Sequence, residues 1–76
     1  MIEPKTNDEL KDIIKTHVLN KKILLNEIDV SNLTDLSGVF SHFEFKYEYG
    51  SIENWNVSNV RNFHSMFYKA KNLWFD

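Results

Sequence analysis

The sequence predicts an α/β repeat fold in which an N-terminal helix caps two strand–helix units. Three patterns carry that expectation. Apolar residues near the start follow a helical period, an apolar register returns after 27 residues, and a stretch of strict alternation lies between its two appearances.

The helical pattern comes first. Leu10, Ile13, Ile14, His17 and Val18 fall on one face at the i, i+3, i+4, i+7, i+8 spacing, which predicts a helix over residues 7–19. Thr6 and Glu9 have the spacing of a capping box, where each side chain satisfies a free backbone N–H. Asp8 and Glu9 suit the positive end of the helix dipole, and Lys21 and Lys22 the negative end. Asn20 is the expected left-handed stop.

The repeated register follows. Residues 23–30 read as extended, with Ile28 and Val30 on one face, and Ser31-Asn32 is competent to turn. Leu36, Val39 and Phe40 have the spacing of a two-turn helix. One period later, Trp55, Val57, Val60, Phe63, Met66 and Phe67 stand where Ile28, Val30, Leu33, Leu36, Val39 and Phe40 stood, and Val-Ser-Asn recurs at 30–32 and 57–59. A period of 27 lies in the range where each unit supplies a strand and a short helix, so the expected fold is a short leucine-rich-repeat-like solenoid. Between the copies, Phe43-Glu44-Phe45-Lys46-Tyr47-Glu48-Tyr49 alternates aromatic and charged, which predicts a strand ended by Gly50-Ser51.

The expected organisation is one domain, 1–76, with a capping helix at 6–20. A first repeat unit at 23–49 and a second at 50–76 follow, the second ending without an evident cap. Residues 28–40 and 55–67 should superpose, with Leu36 and Phe63 in like environments. The expected core is Leu10, Ile14, Val18, Leu25, Val30, Leu33, Leu36, Phe40, Trp55, Val57, Val60, Phe63, Met66 and Phe67. On that basis Phe67→Ala should cost about 3–5 kcal/mol.

The copies Ile-Asp-Val-Ser-Asn-Leu-Thr-Asp-Leu-Ser-Gly-Val-Phe (28–40) and Trp-Asn-Val-Ser-Asn-Val-Arg-Asn-Phe-His-Ser-Met-Phe (55–67) resemble the repeat of the BspA-like, mycoplasma-lipoprotein-type surface proteins. The pattern of that family, a domain of unknown function, runs roughly W-D-V-S-N-V-T-D-M-S-x-M-F. Ile52-Glu53-Asn54-Trp55 is similar to its preceding I-S-N-W, and residues 70–76 to its following G-A-x-x-F-N-Q-D. The resemblance covers residues 25–76, and the helix before them resembles the N-terminal cap of such arrays. It implies a bacterial surface adhesin or interaction module and supplies no catalytic residue.

Composition narrows the function further. A net charge of −2 gives no case for nucleic acid or an anionic membrane. The longest aliphatic run, Ile23-Leu24-Leu25, is too short for membrane insertion. Without cysteine there is neither a thiolate metal site nor a thiol nucleophile. As given, the chain lacks the apolar core of a signal peptide and reads as cytoplasmic; the resemblance implies surface exposure. His17, His42 and His64 lack metal-site spacing, the carboxylates form no acid/base motif, and no G-x-S-x-G turn exposes a serine. No catalytic residue, metal or cofactor is therefore expected.

Asn32 and Asn59, each after Val-Ser, are expected to satisfy buried backbone groups, with Asn59→Ala costing about 1–3 kcal/mol. Ser31 and Ser58, or the asparagines themselves, are candidate caps for the short helices. The stripe Phe43, Phe45, Tyr47, Tyr49 is either a core wall or a set of binding anchors. Trp74 and Phe75, beside an uncapped last unit, complete the candidate partner-binding residues. The expected function is a non-catalytic protein-interaction module, acting on a protein partner or by self-association through its C-terminal end. A structural fragment of a longer array and a small inhibitor of a partner enzyme are the alternatives.

Overall fold

Thr6 opens the first element as its sequence demands. In the structure, a computed structural model that describes residues 1–73, helix α1 spans Asn7–Ile13 and the Thr6 hydroxyl accepts from the Glu9 N–H at 3.1 Å. The capping box is half made, because Glu9 accepts from the N–H of Lys5 rather than of Thr6. The helix continues without a break through Ile14–Val18, wound wider, with the Leu19 N–H reaching back five residues to the Ile14 carbonyl at 3.0 Å. Together they form one helix of 12 residues. Its stop lies one residue beyond the expected asparagine. Lys21 takes the left-handed conformation at φ 60°, while the Asn20 side chain donates to the Thr16 carbonyl. Leu10, Ile14 and Val18 are buried, as the helical period requires.

The expected strands and short helices give way to turns. Among the described residues there is no strand, only three isolated parallel bridges that pair Ile2 with Ile28, Asp35 with Asn62 and Glu44 with Lys71. The fold described is thus a small globule of one helix and tight turns, including 3₁₀ turns at Leu25–Glu27 and Tyr47–Tyr49. The predicted helices over 36–40 and 63–67 do not form because Gly38 and Ser65, at φ 66° and 55°, reverse the backbone hand in mid-segment. The i, i+3, i+4 spacing records successive turns instead. With no short helix to cap, the capping roles proposed for Ser31, Ser58, Asn32 and Asn59 fall away. The predicted strand over 43–49 keeps one bridge residue, Glu44, before the 3₁₀ turn bends it.

The 27-residue register does reappear in the backbone. The N–H groups of Ile28, Leu33, Val39, Ser41 and Phe43 each close a turn on the carbonyl three residues back, and so do those of Trp55, Val60, Met66, Tyr68 and Ala70. Asp29 and Asp35 accept from the N–H two residues on, at 2.9 and 2.8 Å, and Asn56 and Asn62 do the same at 3.0 and 2.9 Å. Left-handed residues match likewise: Gly38 with Ser65, and His42 with Lys69. The segments lie side by side, bonded by the N–H groups of Leu36, Gly38, Phe40, His42 and Phe45 to the carbonyls of Asn62, His64, Met66, Tyr68 and Lys71, at 2.8–3.0 Å.

The helix approaches the first segment from its other side. Asn7 Nδ2 donates to the carbonyls of Asp35 and Ser37, at 3.1 Å each. Their counterparts in the second segment, the carbonyls of Asn62 and His64, take backbone N–H groups of the first. One asparagine amide therefore fills two acceptor positions that a backbone would otherwise fill.

This sandwich fixes the core. Leu25, Ile28, Val30, Leu33, Leu36, Val39, Phe40, Phe43, Phe45 and Tyr49 are buried with the helix. Phe40 is the hub: its ring lies 5.0–5.9 Å from those of Phe43, Phe45, Trp55 and Phe67. The second segment departs from the expected core. Met66 is buried and Trp55 and Val60 are half-buried, but Val57, Phe63 and Phe67 are exposed. Leu36 is 0% exposed against 48% for Phe63, so matched backbones carry unlike environments. The cause is position: among the described residues, the first segment is covered on both sides and the second on one.

Candidate functional site

The aromatic stripe does not form one surface. Phe43 and Phe45 point into the cluster around Phe40, and the ring of Tyr49 packs 5.7 Å from that of Phe43. Tyr47 projects outward at the start of its 3₁₀ turn, which breaks the alternation. Trp74 and Phe75 lie outside the described residues.

Five of the nine exposed large apolar side chains among the described residues lie on the second segment. Phe63 and Tyr68 are the most open of its large side chains, with Val57, Phe67 and Leu73 beside them in sequence. Phe67 is 37% exposed although one face stacks on Phe40, nearly parallel at 5°. Sequence reasoning put Val57, Phe63 and Phe67 in the core because their pattern matches buried counterparts. An apolar register identifies the side of a segment that packs, and it does not reveal whether anything lies beyond.

Charge on this segment differs from the rest of the chain. Residues 54–73 carry Arg61, Lys69 and Lys71 and no acidic residue, in a chain of net charge −2. All three cations are exposed. Among the described residues, the acidic side chains all precede residue 54. Hydrogen bonds from Ser31 hold the Asp29 carboxyl below its ordinary value, and bonds from Ser37 do the same for Asp35. Asn56 and Asn62 make the equivalent turn bonds without a charge. Elsewhere Lys21 pairs with Glu48 at 2.8 Å, which raises the pKa of the lysine and lowers that of the glutamate. Both side chains are well exposed, so the pair adds little to stability.

A shallow polar concavity is lined by Asn32, Thr34, Ser58, Asn59 and Arg61, none of them a titratable base near neutral pH. Among the described residues no three His, Cys, Asp or Glu side chains come together as metal ligands, and no helix is long and apolar enough to cross a membrane. His42 packs edge-on against Tyr68 with centroids 5.6 Å apart, and His17 Nδ1 lies 2.7 Å from the Thr16 hydroxyl.

The asparagine pair is exposed, not inward. Asn59 Nδ2 donates to the Ser31 carbonyl at 2.8 Å, and Asn32 Nδ2 to Glu3 at 2.9 Å, so each ties its segment to the one before. Water can replace an exposed bond. Asn59→Ala should accordingly cost about 0.5–1.5 kcal/mol in a urea titration, below the range expected for a buried amide. A larger loss would mean that the amide holds the two segments in register.

No curated protein and no solved structure matches the chain. A family model does match, over residues 9–76, and its description is Mycoplasma protein of unknown function, DUF285. Helix α1 from its third residue and both turn-rich segments fall within that match, so the chain belongs to the DUF285 family.

Proposed function

We propose that the chain is a non-catalytic protein-interaction module, made of two stacked leucine-rich-repeat-like units behind an N-terminal capping helix, with its binding face on the second unit. The observation that carries this reading is the contrast between equivalent positions. Leu36 and Phe40 are fully buried, while Phe63 and Phe67 stand open. Turn bonds and left-handed residues repeated at a step of 27 support two units, and the two hydrogen bonds donated by Asn7 Nδ2 support the helix as their cap. Clustered apolar side chains rimmed by exposed polar groups are the usual character of a protein-binding surface.

The test compares cross-linked capture from native lysate by the wild-type chain and by Phe63→Lys. The side chain is half in water, so the substitution should leave Tm nearly unchanged. A stoichiometric partner kept by the wild type and reduced about tenfold or more by the variant is the expected result. Equal capture by both, or no stoichiometric partner, overturns the module and leaves the array fragment.

A further inference from the structure

The bonds between the two segments have a direction. Leu36, Gly38, Phe40, His42 and Phe45 all give N–H groups, and the second segment receives them on carbonyls. Three bonds run the other way, from the N–H groups of Arg61 and Asn62 to the Thr34 carbonyl and from that of Lys71 to the Phe43 carbonyl, while the carbonyls of Leu36, Gly38 and Phe40 accept within turns from Val39, Ser41 and Phe43. Each segment therefore has a donor edge and an acceptor edge. One period on, the N–H groups of Phe63, Ser65, Phe67, Lys69 and Asn72 have no partner among the described residues, and the carbonyls of Phe63, Ser65 and Phe67 are again consumed in turns. The outer edge of the second segment thus carries five donors beside Phe63 and Phe67, with the carbonyls of Arg61 and Ala70 at the positions of Thr34 and Phe43; residues 54–73 bear three cations and no acid, and the Glu44 carboxylate of the first segment accepts from Asn72 Nδ2 at 3.2 Å.

We infer that this edge takes an extended, acidic peptide segment of another protein, laid parallel to residues 63–72 and bonded through its own carbonyls. The inference rests on the interaction-module reading and specifies the partner. Two copies of the edge present donors to donors, which disfavours a closed dimer through this end. Head-to-tail stacking of copies needs the acceptor edge of the first segment, and there Asn7 occupies the carbonyls of Asp35 and Ser37, two of the five acceptor positions. A foreign strand would set its alternate carbonyls against the donors, as in strand addition to a sheet edge. An apolar side chain on that strand covers Phe67 as Phe67 covers Phe40. Carboxylates meet Arg61, Lys69 and Lys71 and speed the encounter.

The probe is a synthetic peptide of residues 59–72 carrying Arg61→Glu, Lys69→Glu and Lys71→Glu, which keeps the carbonyl edge and reverses the charge. The readout is amide hydrogen exchange of the labelled full chain by NMR. Expected is saturable binding that slows exchange about tenfold or more at Phe63, Ser65, Phe67, Lys69 and Asn72. Binding should weaken with salt and be about tenfold weaker for the unaltered peptide. No protection at millimolar peptide overturns the inference. So does protection confined to the amides of residues 36–45, which would mean exchange with the chain's own second segment, or concentration-dependent protection of the five amides without peptide, which would make a second copy the occupant. A native partner whose capture depends on Phe63 but which leaves the five amides unprotected refutes edge pairing while keeping the module.

Discussion

Phe40→Ala is expected to lower the unfolding free energy by about 3–5 kcal/mol, most of the stability of a domain this small. Phe40 is fully buried and meets four aromatic rings within 6 Å, so truncation leaves a cavity that Phe43, Phe45, Trp55 and Phe67 cannot all close. The same change at Phe67 should cost about 1–2 kcal/mol, because its outer face is already wet and only the contact against Phe40 and Phe45 is lost. Urea titrations of the two variants at low protein concentration read the difference directly. Equal losses would mean that Phe67 is covered in solution, and would remove the contrast on which the binding face rests. The expectation of a large loss at Phe67 treated matched positions as matched environments, and the structure corrects it.

That correction marks how far the sequence is legible. The N-terminal helix was readable in its face and its start, since Leu10, Ile14 and Val18 and the Thr6 cap are local signals that tertiary contacts reinforce, but not in the wider winding of Ile14–Val18 or the stop at Lys21. The 27-residue register was also readable, because apolar residues and turn residues recur together. Its meaning was not. Leu36, Val39 and Phe40 have helical spacing, but Gly38 between them takes a positive φ, and a strand of charged and aromatic residues at 43–49 yields to a 3₁₀ turn that brings Tyr49 inward. A signal that was overlooked lies at Asp29 and Asn56, and at Asp35 and Asn62. These acid–amide pairs at equal spacing fix the turns, and their side-chain type alone points to that chemistry. The donor edge had no sequence signal at all, since backbone groups look alike at every residue and only the stacking selects which remain free.

Gly50→Ala should cost about 2–4 kcal/mol, the second large effect. Gly50 closes the turn at Tyr47–Tyr49 through its N–H and leaves it at φ 80°, ψ −158°, a region that side chains avoid. A methyl group there would collide with Asn26 Oδ1 and stand 2.9 Å from Leu24 Cβ and 3.2 Å from the Leu25 backbone nitrogen. The Asn26 side chain can swing away, but the backbone of Leu25 cannot, because Leu25 is fully buried and its carbonyl accepts from Trp55 Nε1 at 3.0 Å. The strain would reach the packing of Trp55 on Phe40 and, through it, the seating of the second segment. Gly38→Ala is the control. Gly38 also has a positive φ, yet the nearest atom to an added methyl is Lys11 Nζ at 3.5 Å, and its counterpart Ser65 already carries a side chain at φ 55°. That variant should lose about 1 kcal/mol. Denaturant titrations of the pair separate crowding from backbone preference. Equal losses at both glycines would show that φ alone sets the cost and that the backbone around Leu25 yields.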